Sequence, residues 1–145
     1  LFTGAIVMPK KGTLRIQHAQ PDSDYANSAS EAFVLVSGPL LIKEGLPQRL
    51  PNKKIATDRN PRSCLCITDN SIDMITIDGR SDTAAGMTLA EVQSYLMAIN
   101  CKDAINLDGG GSTTLWAADK GLVNKPSDKT GERTVANALL VVKKD

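Results

Sequence analysis

Residues 72–108 constrain the fold more than any other part of the chain: "IDMITID", then the helical "MTLAEVQSYLMAIN", then "DAINLD". In the first run Ile72, Met74 and Thr76 share one face and Asp73, Ile75 and Ile77 the other, and a strand apolar on both faces is usually covered on both. Leu89, Val92, Leu96 and Ile99 then recur at steps of three, four and three, the spacing of one helix face. Thr88 followed three residues later by Glu91 is a capping-box pattern, with Met87 and Val92 as its staple. The helix is expected over about 89–100, with Asn100 at its left-handed end. In the next strand Ile105 and Leu107 face one way, Asn106 and Asp108 the other. Strand, helix, strand predicts parallel neighbours joined by a crossover. Both strands then end at one sheet edge, each in an aspartate followed by glycine: Asp78-Gly79 and Asp108-Gly109.

The rest reads as strands and turns. "GAIVMP" and "TLRIQH" make a hairpin around "KKG", with Gly12 at the bend. "AQPDSDYANSAS" has the composition of a loop. "EAFVLVSGPLLIKEG" is two strands broken at Ser37-Gly38-Pro39, because proline cannot donate to a ladder. Residues 47–63 are polar and proline-punctuated and read as a long surface loop. "CLCIT", "DNS" and "IDMITID" form a second hairpin; beyond the glycines "TTLWA" is a strand, "DKG" a turn, and "VANALLVVKK" a final strand. The expected fold class is α+β: a mixed β-sheet with hairpins and one principal crossover helix, in a single domain over residues 1–145.

Composition removes several functions. With 17 basic and 16 acidic residues the net charge is +1, which gives no electrostatic footprint for nucleic acid. No apolar run approaches the roughly 18 residues of a membrane span, and no targeting signal is readable. A lone His18 argues against a Ser-His-Asp triad, a Cys-His pair and a histidine metal site. Cys64, Cys66 and Cys101 are too few for a four-cysteine zinc site; they read as small buried hydrophobes, and a bridge from Cys64 or Cys66 to Cys101 stays open without support from the sequence.

Ligands of such sheets lie beyond the carboxyl ends of strands, where Asp78 and Asp108 converge. Gly109, Gly110 and Gly111 permit close approach to the backbone, and successive N–H groups in such a turn form an anion nest. Ser112, Thr113 and Thr114 add hydroxyls. An acid beside an anion-binding loop suits a phosphate attached to something polar. The loop is neither a P-loop nor a dinucleotide fingerprint, since it lacks Gly-Lys-Ser/Thr and precedes a strand. Plain alternatives stand beside this: the glycines as a tight turn, the aspartates as turn formers, Thr88 and Glu91 as caps, Arg62 and Arg80 as surface cations, and Trp116 as core or rim rather than a sugar platform. Asp78, Asp108 and Asn106 offer hard oxygens of the kind calcium takes, but the spacing does not demand a metal, and no cofactor is implied.

"DGR", "GMTLAEV", "INLDGGGST" and "GERTVANALLVV", with "NPRSCLCIT" and "FVLVSGPLLIKEG" upstream, resemble the phosphodiester glycosidase family from about Phe33 to Lys143. The resemblance implies hydrolysis of a sugar 1-phosphodiester of the N-acetylglucosamine type at its glycosidic bond. It implies Asp78, Asp108 and, third, Glu91 as catalytic candidates. For substrate binding it implies Arg62, Arg80, Thr88, Asn106, Gly109, Gly110, Gly111, Ser112 and Arg133. An arginine fork fits phosphate oxygens, and a carboxylate would attack or stabilise the oxocarbenium-like centre. Analogy with secreted relatives implies an extracytoplasmic protein whose partner is a phosphosugar or cell-envelope glycan. Ser63, Cys66 and Thr134 depart from common family residues, and the family's upstream Asn-Gly-Gly-Phe/Tyr-Phe segment has no counterpart. That departure implies the C-terminal portion of a longer domain, completed by an N-terminal segment or a second chain. The rival readings are a non-catalytic phosphosugar-binding module and a structural domain of an envelope or phage assembly.

Overall fold

The computed structural model describes residues 2–143. It is α+β and layered. A five-stranded sheet has the order β5-β4-β8-β6-β7, from Leu46–Pro47 (β5), Leu40–Lys43 (β4), Asp103–Asn106 (β8), Arg62–Ile67 (β6) and Ile72–Ile77 (β7). A three-stranded sheet, β2-β1-β3, is built from Arg15–His18 (β2), Gly4–Pro9 (β1) and Glu31–Ser37 (β3). The break at Ser37-Gly38-Pro39 therefore hands the chain from one sheet to the other.

Alternation along the central strands explains the layers. On β6, Cys64 and Cys66 point to one face and Leu65 to the other; on β8, Ala104 and Ile105 divide in the same way. The first face packs under the helix α3 (Leu89–Ala98) through Leu89, Val92 and Leu96. The second packs against Ile6 and Ile16 of the smaller sheet. Strand β7, at the sheet edge, is covered only in part: Ile75 and Ile77 lie against the helix-side core and Met74 against the other, while Ile72 is exposed. All of these core positions on β6, β8 and α3 are essentially sealed from solvent.

Several expectations need correction. Strands β7 and β8 do run in the same direction, but they are not neighbours. Strand β6 lies between them and pairs antiparallel with each, Arg62 opposite Ile77 and Cys64 opposite Asn106. Each of the described ladders is antiparallel; the "CLCIT" hairpin inserts its first strand into the gap that the crossover leaves, which removes the expected parallel pairing of β7 with β8. The loop over 19–30 contains a short helix, Asp22–Ala26 (α1), and the stretch 47–63 holds another, Lys54–Thr57 (α2), and ends by entering β6 at Arg62. Of "TTLWA" only Trp116–Ala117 (β9) is strand, paired with Gly121–Leu122 (β10) across the expected "DKG" turn. Residues 134–143 form no strand: Leu140, Val141 and Val142 are largely exposed, while Leu139 reaches the core between the sheets. A bridge joins Cys66 to Cys101 with Cα atoms 5.6 Å apart, so two of the three cysteines are not simple apolar fillers. Cys64 is the buried thiol, its pKa pushed up to about 12 by burial.

Helix α3 follows the sequence closely. Thr88 caps it, accepting from the Glu91 N–H, while Glu91 accepts from the Thr88 N–H at 2.9 Å. The helix ends at Ala98, and Asn100 turns left-handed at φ 61°.

Candidate active site

The edge where β7 and β8 end is organised around the dipeptide that precedes β6, Asn60-Pro61. Continuing the registers sets Asp78 beside Pro61 and Asp108 beside Arg62. One strand separates the two acids, a spacing of roughly 10 Å between their backbones. Pro61 accepts from the Gly110 N–H at 2.9 Å, and Asn60 exchanges both backbone bonds with Met87 (3.2 and 3.1 Å). A Cβ on Gly79 would stand 2.9 Å from the Pro61 nitrogen, and one on Gly109 2.8 Å from the Pro61 oxygen. These glycines are needed because the chain's own backbone occupies the space a side chain would take.

Gly110 and Gly111 serve a different purpose. The Arg80 guanidinium lies against Gly110, 3.1 Å from where a Cβ would be. Gly111 carries the Arg133 guanidinium and the Asp128 carboxylate, which a Cβ would strike. Consecutive glycines thus seat one guanidinium each. Gly110 also needs its freedom for φ 62°, in the short 3-10 turn Gly110–Ser112. Arg133 is held as a fork by Asp128, Nε at 2.8 Å and Nη2 at 3.1 Å. Arg80 donates to the Asn60 side-chain oxygen at 2.8 Å.

The remaining expected residues divide by what already holds them. Arg62 is buried and donates to the carbonyls of Met87 (2.9 Å) and Asp58 (2.8 Å); burial, opposed by the nearby Cys64 sulfur, lowers its pKa. It frames the edge rather than lining it, which overturns its placement in a surface loop. Asp78 is half-buried and accepts from the Lys125 N–H at 3.0 Å. Asp108 is exposed, its one hydrogen bond accepted from the adjacent Gly109 N–H. Asn106 is buried, its amide donating to Gly38 and Leu107 carbonyls, while its Oδ1 has no protein partner. Ser112 closes the 3-10 turn onto Gly109. Thr88 and Glu91 stand at the start of α3, occupied with each other and with Arg59, and the Thr88 N–H is the first cause of the lowered Glu91 pKa. Among the described residues, no three His, Cys, Asp or Glu side chains cluster to hold a metal ion. Two hollows of about 310 and 400 Å³ lie beside Leu50, Pro51 and Asn52.

An edge with paired aspartates and arginine-bearing glycines invites comparison with known proteins. The model of the phosphodiester glycosidase family matches residues 2–142. The chain belongs to the phosphodiester glycosidase family. Among curated proteins it resembles the SPbeta prophage-derived uncharacterized protein YomE of Bacillus subtilis (strain 168), 29% identical over 97% of this chain and 22% of that protein. Its fold resembles the catalytic domain of zebrafish N-acetylglucosamine-1-phosphodiester alpha-N-acetylglucosaminidase, solved auto-inhibited by its pro-peptide. The TM-score there is 0.70 at 23% identity, over 87% of this chain and 45% of that one. A hypothetical protein from Synechocystis matches with a TM-score of 0.57 and 25% identity, over 79% of this chain and 22% of the other. The chain therefore spans less than half the length of each, between 22% and 45%.

In this phosphodiester glycosidase fold, three side chains matter that the sequence reading passed over. Asn60 holds Arg80, Asp128 holds Arg133, and Asn124 ties the loop end by accepting from Leu115 N–H (2.6 Å) and donating to the Thr113 carbonyl (3.0 Å). Asn60 opens the "NPRSCLCIT" stretch and Asp128 lies five residues before Arg133, so both are visible in the sequence as neighbours of candidates. Trp116 is neither core nor shielded; it is 63% exposed on the β9–β10 ribbon.

Proposed function

We propose that this edge is the phosphate-binding and acidic part of a site that hydrolyses the glycosidic bond of a sugar 1-phosphodiester of the N-acetylglucosamine type. The observation that carries the reading is the pair of guanidinium groups seated on Gly110 and Gly111 directly after Asp108. Arg80 and Arg133 present N–H groups to phosphate oxygens, with Arg62 adding buried positive charge behind them. As the anomeric C–O bond breaks, its electron pair leaves with the phosphate, and the arginines stabilise that charge. The oxocarbenium-like carbon is met by Asp108 or by a water that Asp108 deprotonates, since this carboxylate is exposed and engaged only with its own loop. Asp78, tied to the 125 amide, is the second carboxylate. Glu91 ranks behind both because its oxygens are committed to Thr88 and Arg59. The chemistry needs no redox cofactor.

An extracytoplasmic location is supported by the Cys66–Cys101 bridge, which persists in oxidising compartments. A phosphosugar or envelope glycan fits the cationic loop as partner, and no described helix is long and apolar enough to cross a membrane. Arg133 and Asp78 are already held by Asp128 and the Lys125 N–H, which favours one other reading, binding without turnover. Hydrolysis of a radiolabelled N-acetylglucosamine 1-phosphodiester separates the two. Turnover lost in a folded Asp108→Asn variant supports the glycosidase; turnover that survives that substitution removes Asp108 from the mechanism.

A further inference from the structure

Arg80 is a non-glycine residue at φ 57°, a left-handed conformation that L side chains seldom take without compensation. It sits directly after the tight approach of Gly79 to Pro61, with its guanidinium exposed over Gly110. An exposed arginine has many rotamers, so a fixed direction has to be imposed by a partner. Asn60 is the partner. Its side-chain oxygen accepts from Arg80 Nη2 at 2.8 Å, and its side-chain nitrogen donates to the Asp58 carbonyl at 3.2 Å. This settles which amide atom faces the arginine, because only the oxygen can accept.

The Asn60 backbone is itself immobilised. Its N–H and carbonyl are both spent on Met87, and Gly86, at φ 82°, packs so closely on Asn60 that a Cβ would stand 2.5 Å from its carbonyl carbon. The side chain therefore starts from a fixed base, and its reach to Arg80 spans 20 residues of sequence. We propose that Asn60 is the positioning residue of the site: it aims the Arg80 guanidinium across Gly110, beside Arg133 on Gly111, so that the N–H groups not engaged by Asn60 and Asp128 meet one phosphate group. This rests on reading the edge as a phosphosugar site, and it adds the residue on which the clamp's geometry depends.

The test uses the whole chain with Asn60→Ala, which removes the acceptor, and Asn60→Asp, which keeps an oxygen toward Arg80. Phenylglyoxal modification of Arg80, read by peptide mapping with Arg133 as internal reference, reports positioning without any substrate. Asn60→Ala is expected to raise Arg80 reactivity about tenfold relative to Arg133, the scale of one charge-assisted hydrogen bond, with Asn60→Asp near wild type. On the phosphodiester, Asn60→Ala is expected to raise KM by a similar factor with kcat less affected; the carboxylate of Asn60→Asp opposes an anionic substrate, so that variant is read by Arg80 reactivity alone. Should Asn60→Ala not fold, Asn60→Gln displaces the same oxygen by one methylene and is read in the same way. Unchanged Arg80 reactivity in the folded variant overturns the proposal. If reactivity changes but the wild-type chain neither binds nor cleaves the phosphodiester, the positioning stands and the phosphosugar reading fails.

Discussion

At Gly111 the backbone gives way to an ion pair, and a methyl group there would strike both Arg133 and Asp128. Gly111→Ala is expected to unseat Arg133 and weaken phosphosugar binding several-fold, measured by calorimetry, while leaving the sheets intact. At Gly110 the cost is of another kind. Its φ of 62° makes Gly110→Ala destabilising by about 1–2 kcal/mol through strain in the left-handed region, read from a urea midpoint. Arg62 poses the opposite problem, a buried cation whose donors are spent on two carbonyls. Arg62→Met fills the volume but leaves the Met87 and Asp58 carbonyls without those donors, so a loss of about 2–3 kcal/mol is expected by the same measurement. These roles were hard to read in advance. The glycine run was legible as a place of close approach, but which groups approach depends on residues 60–62, 80, 128 and 133, brought together only by the fold. Asn60 gave no periodic signal at all, because its partner is 20 residues away.

Elements whose evidence is local were legible. The 3.6-residue spacing and the Thr88–Glu91 box placed α3 within two residues of its observed end, and the "DNS" hairpin closes with Ile67 opposite Ile72. Thr88→Ala is expected to lower stability by about 1 kcal/mol. The Thr88 N–H, bonded to the Glu91 carboxylate, holds its pKa below the ordinary 4.5. A carboxylate depressed in the folded state contributes stability that is fully present above its unfolded pKa and lost as the pH falls through the folded one. Glu91→Gln should therefore lower stability at pH 7 and make progressively less difference as the pH falls below about 4.5, where the wild-type carboxyl is itself protonated, as followed by circular dichroism. What local patterns could not reveal was pairing. A crossover helix fixes the direction of β8 relative to β7, yet nothing within 72–108 says that β6 would insert between them. Nor does the apolar run at 135–142 carry a strand by itself, since a ladder requires a partner and none of the described strands supplies one.

Across the whole molecule, one sheet is clamped between a helix and a second sheet, and the Cys66–Cys101 bridge ties β6 to the turn after α3. The bridge closes a loop over a sequence separation of 35, for which chain entropy in the unfolded state gives about 4 kcal/mol. Reduction, or paired replacement by alanine, should lower the urea midpoint accordingly. The α+β class was legible from alternation and the helical spacing, whereas the order of strands and the bridge required the three-dimensional arrangement. At this scale the acids, the arginines and the glycines that seat them lie together where β7 and β8 end. The most direct measurement is a phosphorus NMR titration of N-acetylglucosamine 1-phosphate with the wild-type chain and with Arg80→Gln, Arg133→Gln and Asp108→Asn. Saturable binding that weakens at least tenfold with each arginine substitution, one charge-assisted contact apiece, but persists in Asp108→Asn is expected for a guanidinium clamp beside a carboxylate that acts as nucleophile or base. An unchanged phosphorus signal with wild-type protein, or equal binding by all four, would contradict it.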